Sequence, residues 1–231
     1  MRELMIATAT LVALLTSAVS SDAEEVSPRW TGCYVGGHAG RLWVDEDWVN
    51  RTEGGAFANE SLGGHDSSGW LGGLQGGCDY QFDGGLVVGV QGDYAWTDAD
   101  GSHPSSKETG VFYHSKVDSL ATVTGRVGYG WDRLLAYVKG GGAWETNDYK
   151  ATTLILGTAY TSHDTLTGWT IGIGGEYALT DFLSAFVEYN HYDFGTSEIS
   201  FTPQVEGLRS AFVDIEETKG TLRVGLNLRF N

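Results

Sequence analysis

The chain has 231 residues and a formal net charge of −16, which argues against nucleic-acid binding because a phosphate backbone would be repelled. Glycine is abundant at 34 residues, but 8 Trp, 11 Tyr and only 3 Pro argue against a disordered chain. The 2 cysteines are too few for a fold built on disulfides.

Residues 1–23 have the features of a secretory signal. Arg2 precedes an uncharged apolar run over residues 4–19, and residues 21–23 resemble a small-x-small cleavage site. The run is too short for a transmembrane helix, and no later segment is apolar over the length that such a helix needs. We therefore predict a signal peptide over residues 1–23 and one domain over residues 24–231.

Apolar and polar residues alternate with a period of two along most of the remaining chain. In the last such segment every second residue from Leu222 to Phe230 is apolar, whereas Arg223 and Arg229 fall on the opposite face. Each segment is near the length of a tilted transmembrane strand, which is about ten residues, or slightly longer. The predicted strands are roughly 30–43, 70–82, 86–96, 119–131, 134–144, 166–179, 182–194 and 219–230.

The connections between these strands alternate in length. Tight turns are predicted at residues 83–85, 132–133 and 180–181, where Asp, Gly and Thr are suitable turn residues. Short turns on one side and long loops on the other are typical of outer-membrane barrels, and they place both chain ends at the periplasmic side. The predicted long loops are 44–69, 97–118, 145–165 and 195–218.

One face of the strands lacks charge. Every second residue from Leu86 to Trp96, and from Trp169 to Leu179, is uncharged, with aromatic residues towards the row ends, where they would meet the membrane interface. We therefore predict an all-β fold, an eight-stranded antiparallel up-and-down transmembrane β-barrel located in the cell outer membrane.

The opposite face carries charges that are predicted to lie in the lumen. An eight-stranded barrel is just wide enough for side chains to fill it, and buried charges need partners. Balanced acids and bases predict a plugged interior with ion pairs across the lumen, although the pattern does not assign the pairs, and some residues could instead lie unpaired at the wet ends. The predicted set is Asp79, Asp93, Glu176, Glu188, Arg126, Lys139, Arg223 and Arg229.

Most of the excess negative charge falls in the four predicted loops. The simplest interpretation is a solvated surface. Divalent cations held between loop carboxylates and lipopolysaccharide phosphates are the alternative.

Several motifs resemble those of a known family. Residues 30–40 (WTGCYVGGHAG) resemble the WTGFYVGGxxG opening of porin-family outer-membrane proteins of alphaproteobacteria, the 25 kDa major surface antigen type. Residues 74–81, 125–129 and 168–178 are similar to later strands of that family, and residues 187–195 to its seventh. The resemblance implies a barrel like the membrane domain of the OmpA class, in an abundant surface antigen that supports envelope integrity and contacts the host.

The resemblance also implies partners. These are outer-membrane lipid and lipopolysaccharide, periplasmic chaperones and the barrel-assembly machinery, which recognises a terminal Phe in such chains. Here Phe230 would be that assembly signal, but Asn231 follows it, which is a departure from the family pattern.

Two cysteines stand where the family often has aromatic residues. If Trp43 and Ser68 are partners across the first loop, Cys33 lies opposite Cys78 on the outer face near the periplasmic rim. A cross-strand disulfide is then possible. The alternative is two free, lipid-facing thiols.

No sequence motif indicates an enzyme, a metal site or a cofactor site. The 6 histidines form no HExxH arrangement. His191 is the one candidate for a lipid A-modifying Ser–His pair, but Ser197 and Ser200 lie beyond the predicted strand end without a recognisable motif. A protease of the aspartate–histidine barrel type needs ten strands, and eight are predicted here.

The sequence therefore predicts a non-enzymatic surface barrel that presents four acidic loops. The alternatives are a narrow porin-like channel, a receptor for haem or another small ligand, and a soluble lipocalin-type barrel. The candidate ligand-binding aromatic residues of the loops are Trp48, Phe112, Tyr113 and Tyr160.

Overall fold

The computed structural model describes residues 30–50, 61–104, 111–153, 157–203 and 211–230. The predicted signal peptide lies outside these residues. The described part of the chain consists of β-strands and the few residues between some of them. The strands are β1 (Gly32–Asn50), β2 (Ser61–Gln81), β3 (Leu86–Thr97), β4 (Asp100–Pro104), β5 (Val111–Trp131), β6 (Leu134–Thr153), β7 (Gly157–Ala178), β8 (Leu183–Pro203) and β9 (Ala211–Phe230).

The strands close into one antiparallel barrel. β3 pairs with the second half of β5, and the short β4 pairs with its first half. β3 and β4 therefore occupy the position of one strand in the barrel wall. β1 pairs with β9 as well as with β2, so the sheet has no free end at the chain termini. The predicted eight-stranded up-and-down barrel is confirmed.

No helix in the described segments is both long enough and apolar enough to cross a membrane.

The turns at one end of the barrel are short, as the sequence predicts. Residues 132–133 join β5 to β6, with Asp132 in the left-handed region at φ 48°. Gly84 and Gly85, between β2 and β3, have φ values of 98° and 93°. Residues with a side chain adopt such a backbone conformation only with strain. These turns and both described chain ends share the same end of the barrel.

The exposed face of the wall is apolar and the interior is polar. Along β3, Val90 is 63% exposed, whereas Gln91 and Asp93 are buried. Exposed aromatic side chains border this apolar belt at both ends. The outer girdle is Trp43, Trp70, Trp96, Trp144 and Trp169, and the periplasmic girdle includes Tyr80, Phe82, Tyr129, Trp131, Tyr177, Phe182 and Phe230.

The predicted outer strand ends are wrong. β1 continues to Asn50 rather than ending at residue 43, and β9 begins at Ala211 rather than at residue 219. Much of the predicted loops 44–69, 97–118, 145–165 and 195–218 is therefore paired strand. Above the membrane belt both faces meet water, so the apolar alternation stops while the backbone hydrogen bonds continue.

Apolar side chains also occur inside the barrel, in two layers. Following β3 from its start, the inward side chains pass from Val87 through Gln91 and Asp93 to Ala95, so polar groups lie between the layers. The outer layer is Leu42, Val44, Leu71, Ala95, Ala99 and Val117. The periplasmic layer is Trp30, Val87, Leu135, Tyr137 and Ala178.

Candidate functional site: the charged lumen

The structure places all of the predicted lumen charges inside the barrel. Each of these side chains alternates with an outward apolar residue on its strand, so strand parity directs it inward. None is more than 7% exposed. The structure brings them together in two connected clusters.

The periplasmic cluster contains two guanidinium groups and two carboxylates in alternation. Arg126 donates from Nε to Asp79 Oδ1 at 2.7 Å and from Nη1 to Glu176 Oε2 at 3.4 Å. Arg229 donates from Nη2 to Asp79 Oδ2 at 2.7 Å and from Nη1 to Glu176 Oε1 at 2.9 Å. The four residues come from β2, β5, β7 and β9, so the bonds cross the lumen and the cluster is electrically balanced.

Aromatic rings enclose the two arginines of this cluster. The Arg126 guanidinium carbon lies 4.7 Å from the ring centre of Tyr34 and 4.9 Å from that of Tyr137. Arg229 lies 4.8 Å from the Trp30 ring. Such cation–π contacts add attraction where water is excluded, and the rings fill the space beside the charges.

The second cluster lies nearer the outer end. Asp93 accepts a hydrogen bond from Arg223 Nη1 at 2.7 Å, and its other oxygen lies 2.5 Å from His38 Nε2. Lys139 Nζ lies 2.7 Å from Glu188 Oε1. Because His38 and these two pairs come from five strands, this cluster also ties opposite walls together.

One tyrosine links the two clusters. The Tyr137 hydroxyl donates to Glu188 Oε2 at 2.9 Å, while its ring stacks against Arg126. Neutral amides fill the remaining space: Gln91 donates to Gln75 at 3.2 Å, and Gln75 donates to Asn227 at 2.8 Å. The middle of the described interior, between the two apolar layers, is thus polar and hydrogen-bonded.

Sequence reasoning missed a further ion pair. Glu145 and Lys219 are each 1% exposed and form a salt bridge, but residue 145 fell in a predicted loop and residue 219 was taken as the edge of a strand. Ala143 and Thr221 point into the lumen. Because every second residue of a strand points the same way, Glu145 and Lys219, each two residues nearer the outer end, could have been predicted to point inward as well. With this pair, the described interior holds five acids and five Lys or Arg residues.

The cysteines lie where the predicted register places them. Cys33 pairs with Cys78 and Trp43 with Ser68. The two cysteines are joined by a disulfide, with 3.9 Å between their Cα atoms, on the exposed face. Phe230, the predicted assembly signal, ends β9 opposite Cys33 and is 58% exposed.

Among the described residues, no group of three His, Cys, Asp or Glu side chains could hold a metal ion. His191 lies on the outer wall with its ring centre 5.9 Å from that of Trp169. The side chains of Ser197 and Ser200, and those of the four candidate ligand-binding aromatic residues, lie outside the described part of the structure.

The sequence matches the model of the outer membrane protein β-barrel domain over residues 8–230. The chain belongs to this family. Its barrel therefore lies in the outer membrane, with the apolar belt facing lipid and the short turns facing the periplasm.

A curated relative supports this assignment. The 31 kDa outer-membrane immunogenic protein of Brucella melitensis is 28% identical over 246 positions, which cover 93% of this chain and 94% of the relative. This outer-membrane barrel is thus similar to an alphaproteobacterial surface antigen, as its motifs imply.

Two solved barrels share the fold. OprG from Pseudomonas aeruginosa superposes with a TM-score of 0.56 at 14% identity, covering 90% of this chain and all of OprG. The outer-membrane protease OmpT from Escherichia coli has a TM-score of 0.55 at 12% identity, with coverage of 91% and 100%. At such low identity these similarities concern the fold alone.

Proposed function

We propose that this outer-membrane barrel is a non-enzymatic surface protein that supports envelope integrity and external contacts. In this proposal the lumen is a sealed, rigid core, and the strands that continue past the outer girdle carry the contact surface outwards. The observation that carries the proposal is the balanced, cross-lumen network around Asp79, Arg126, Glu176 and Arg229.

The energetics of this network oppose a channel. A passing ion would have to separate carboxylates from guanidinium groups that are already desolvated, and a buried charge without its partner costs several kcal/mol. Apolar side chains at both ends, such as Leu42 and Val44 at the outer end and Val87 and Leu135 at the periplasmic end, add to the barrier, because an ion that passes them would lose part of its hydration.

Conductance across a planar lipid bilayer tests the sealed lumen. Purified wild-type protein is expected to give no sustained open-channel steps. The double variant Asp79→Ser, Arg126→Ser removes an acid and a base together, leaves the net charge unchanged and empties part of the lumen. It is expected to conduct more than the wild type, and sustained steps from the wild type would contradict the proposal.

The absence of enzymatic activity is part of the same proposal. His191 and Ser197 are six residues apart on β8, which corresponds to roughly 20 Å of extended chain, and a Ser–His pair needs hydrogen-bond contact. Folded protein incubated with lipid A and with unfolded polypeptide is expected to leave both intact. Deacylation that disappears in His191→Ala would overturn this part.

The proposed partners follow from the location. Lipopolysaccharide and other outer-membrane lipids would contact the belt, and the assembly machinery and periplasmic chaperones would meet the chain before insertion, with Phe230 as the recognition residue. Host or surface ligands would meet the outer strand ends. The name of the Brucella relative, an immunogenic protein, supports surface exposure.

A further inference from the structure

Arg41 is a charged side chain within the lipid-facing row of β1. Its neighbours in this row are Val35, Gly37, Ala39 and Trp43, and Arg41 lies two residues to the membrane side of Trp43 in the outer girdle. Two acids lie at that girdle: Asp193, which pairs with Trp169, and Asp98, which accepts a hydrogen bond from the Trp70 backbone amide. The described strands place no other Asp, Glu, Lys or Arg outward between the two girdles.

The Arg41 guanidinium is held in place by β2. Arg41 and Trp70 are register partners, and the guanidinium carbon lies 5.7 Å from the centre of the Trp70 ring. Nη2 donates to Ser68 Oγ at 2.9 Å. Ser68 is two residues further out than Trp70, so the charged head is directed towards the outer surface while its stem stays in the belt.

This guanidinium lacks an anionic partner in the described part of the protein. No salt bridge to Arg41 occurs there, and the next acid on the same face of β1, Asp45, is four residues further out, roughly 13 Å of extended strand. An arginine has five N–H donors, and one of them is used by Ser68. An ionised group at membrane depth requires a partner, and phosphates are the anions of the lipid headgroup layer that borders this girdle.

We propose that Arg41, Trp70 and Ser68 form a binding site for a phosphate group of an outer-leaflet lipid. The planar guanidinium can donate two parallel hydrogen bonds to phosphate oxygens, and Trp70 fixes its plane. The site would hold one lipid against the seam between β1 and β2. This inference deepens the proposed contact with envelope lipid, because it names the residues and the headgroup chemistry.

Titration of detergent-solubilised protein with bisphosphorylated lipid A, followed by native mass spectrometry, tests the site. Arg41→Gln is expected to weaken binding about tenfold or more, because charge-assisted hydrogen bonds are lost. Arg41→Lys is expected to retain part of the affinity, since an ammonium keeps the charge but not the fork. Arg133→Gln is the matched control at the periplasmic turn, and it is expected to bind like the wild type.

Two further arms identify the ligand. The first arm removes the phosphates from the lipid. Dephosphorylated lipid A is expected to bind the wild type as weakly as bisphosphorylated lipid A binds the Arg41→Gln variant, or more weakly. Inorganic phosphate alone should bind much more weakly than the lipid, and equal affinity would overturn the lipid assignment.

Unchanged binding of lipid A by Arg41→Gln would overturn the site itself. Heat-modifiable gel migration confirms that each variant is folded before it is titrated. These outcomes do not depend on conductance, so this inference and the sealed lumen can fail separately.

Discussion

At the scale of single residues, the lumen depends on carboxylates that are shared between two cations. Asp79 and Glu176 each bind both Arg126 and Arg229. Removing one guanidinium therefore leaves the buried carboxylates of Asp79 and Glu176 with fewer hydrogen-bond donors. Such a loss costs far more than the loss of a surface ion pair, because the remaining charge cannot be solvated.

We expect Arg126→Met to reduce the free energy of unfolding by about 3 kcal/mol or more, because it breaks a buried ion-pair network. Urea titration of detergent-folded protein, followed by tryptophan fluorescence, measures this change. Lys116→Met is the control, since Lys116 pairs with Asp118 on the surface with 55% of its side chain exposed, and it should cost less than about 1 kcal/mol. Equal small losses in both variants would contradict the predicted role of Arg126.

At the scale of one strand, neighbouring glycines of β7 face different surroundings. A Cβ on Gly174 would come within 2.8 Å of three atoms of the buried Tyr137 ring and hydroxyl, whereas a Cβ on Gly175 would meet nothing within 4 Å. Because Tyr137 is fixed between Arg126 and Glu188, it cannot move aside without separating the two clusters.

Gly174→Ala is therefore expected to destabilise the barrel by about 1–3 kcal/mol, as overpacked interiors do. Gly175→Ala, one residue along the same strand, should change stability by well under 1 kcal/mol, since its side chain would face lipid. Parallel urea titrations of the two variants give the comparison. If Gly175→Ala proved the more damaging of the two, the assignment of faces on β7 would be wrong.

The Cys33–Cys78 bond gives a second prediction for single elements. It joins β1 to β2 across a sequence separation of 45 residues, so it restricts the unfolded chain, and its loss should cost about 2–4 kcal/mol. Unreduced, denatured protein should show no maleimide labelling of thiols and full labelling after reduction. Cys33→Ser with Cys78→Ser should fold and unfold at lower urea, whereas labelling without reductant would contradict the bond.

At the scale of the whole molecule, the alternation of apolar and polar residues predicted which side chains point into the lumen and which point to lipid. It did not predict how far the strands extend beyond the membrane. Lipid requires one face of every strand to be apolar, so the alternation identified eight inward charges such as Asp93 and Arg223. Outside the membrane neither face has to be apolar, so the outer strand ends were missed, and with them Glu145; Lys219 lay at the edge of the predicted strand 219–230 and was not counted among the lumen charges.

The ion pairs themselves could not be predicted for a different reason. Parity places Asp79 and Arg229 on the inner face, but which charges meet across the lumen depends on the stagger and tilt of the closed wall. The pairing of Cys33 with Cys78 could be predicted because β1 and β2 are adjacent and joined by one connection. One assumed pair of partners, Trp43 and Ser68, then determines the other residue pairs between these strands.

The continuation of the strands past the outer girdle predicts a pattern of hydrogen exchange. Backbone amides from residue 44 to residue 50 pair with β2 or β9, so we expect them to exchange more slowly than freely hydrated amides. Mass spectrometry of peptides after deuterium labelling in detergent measures this. Immediate exchange throughout this segment, with slow exchange between Cys33 and Trp43, would show that the wall ends at the girdle.

The balanced interior has a consequence for how the barrel responds to an electric field. A potential across the outer membrane does work only on net charge that is displaced through it. Among the described lumen residues, acids and Lys or Arg residues are equal in number, so a shift of these groups together along the barrel axis would carry no net charge. Changes in the Donnan potential would then leave this interior in place.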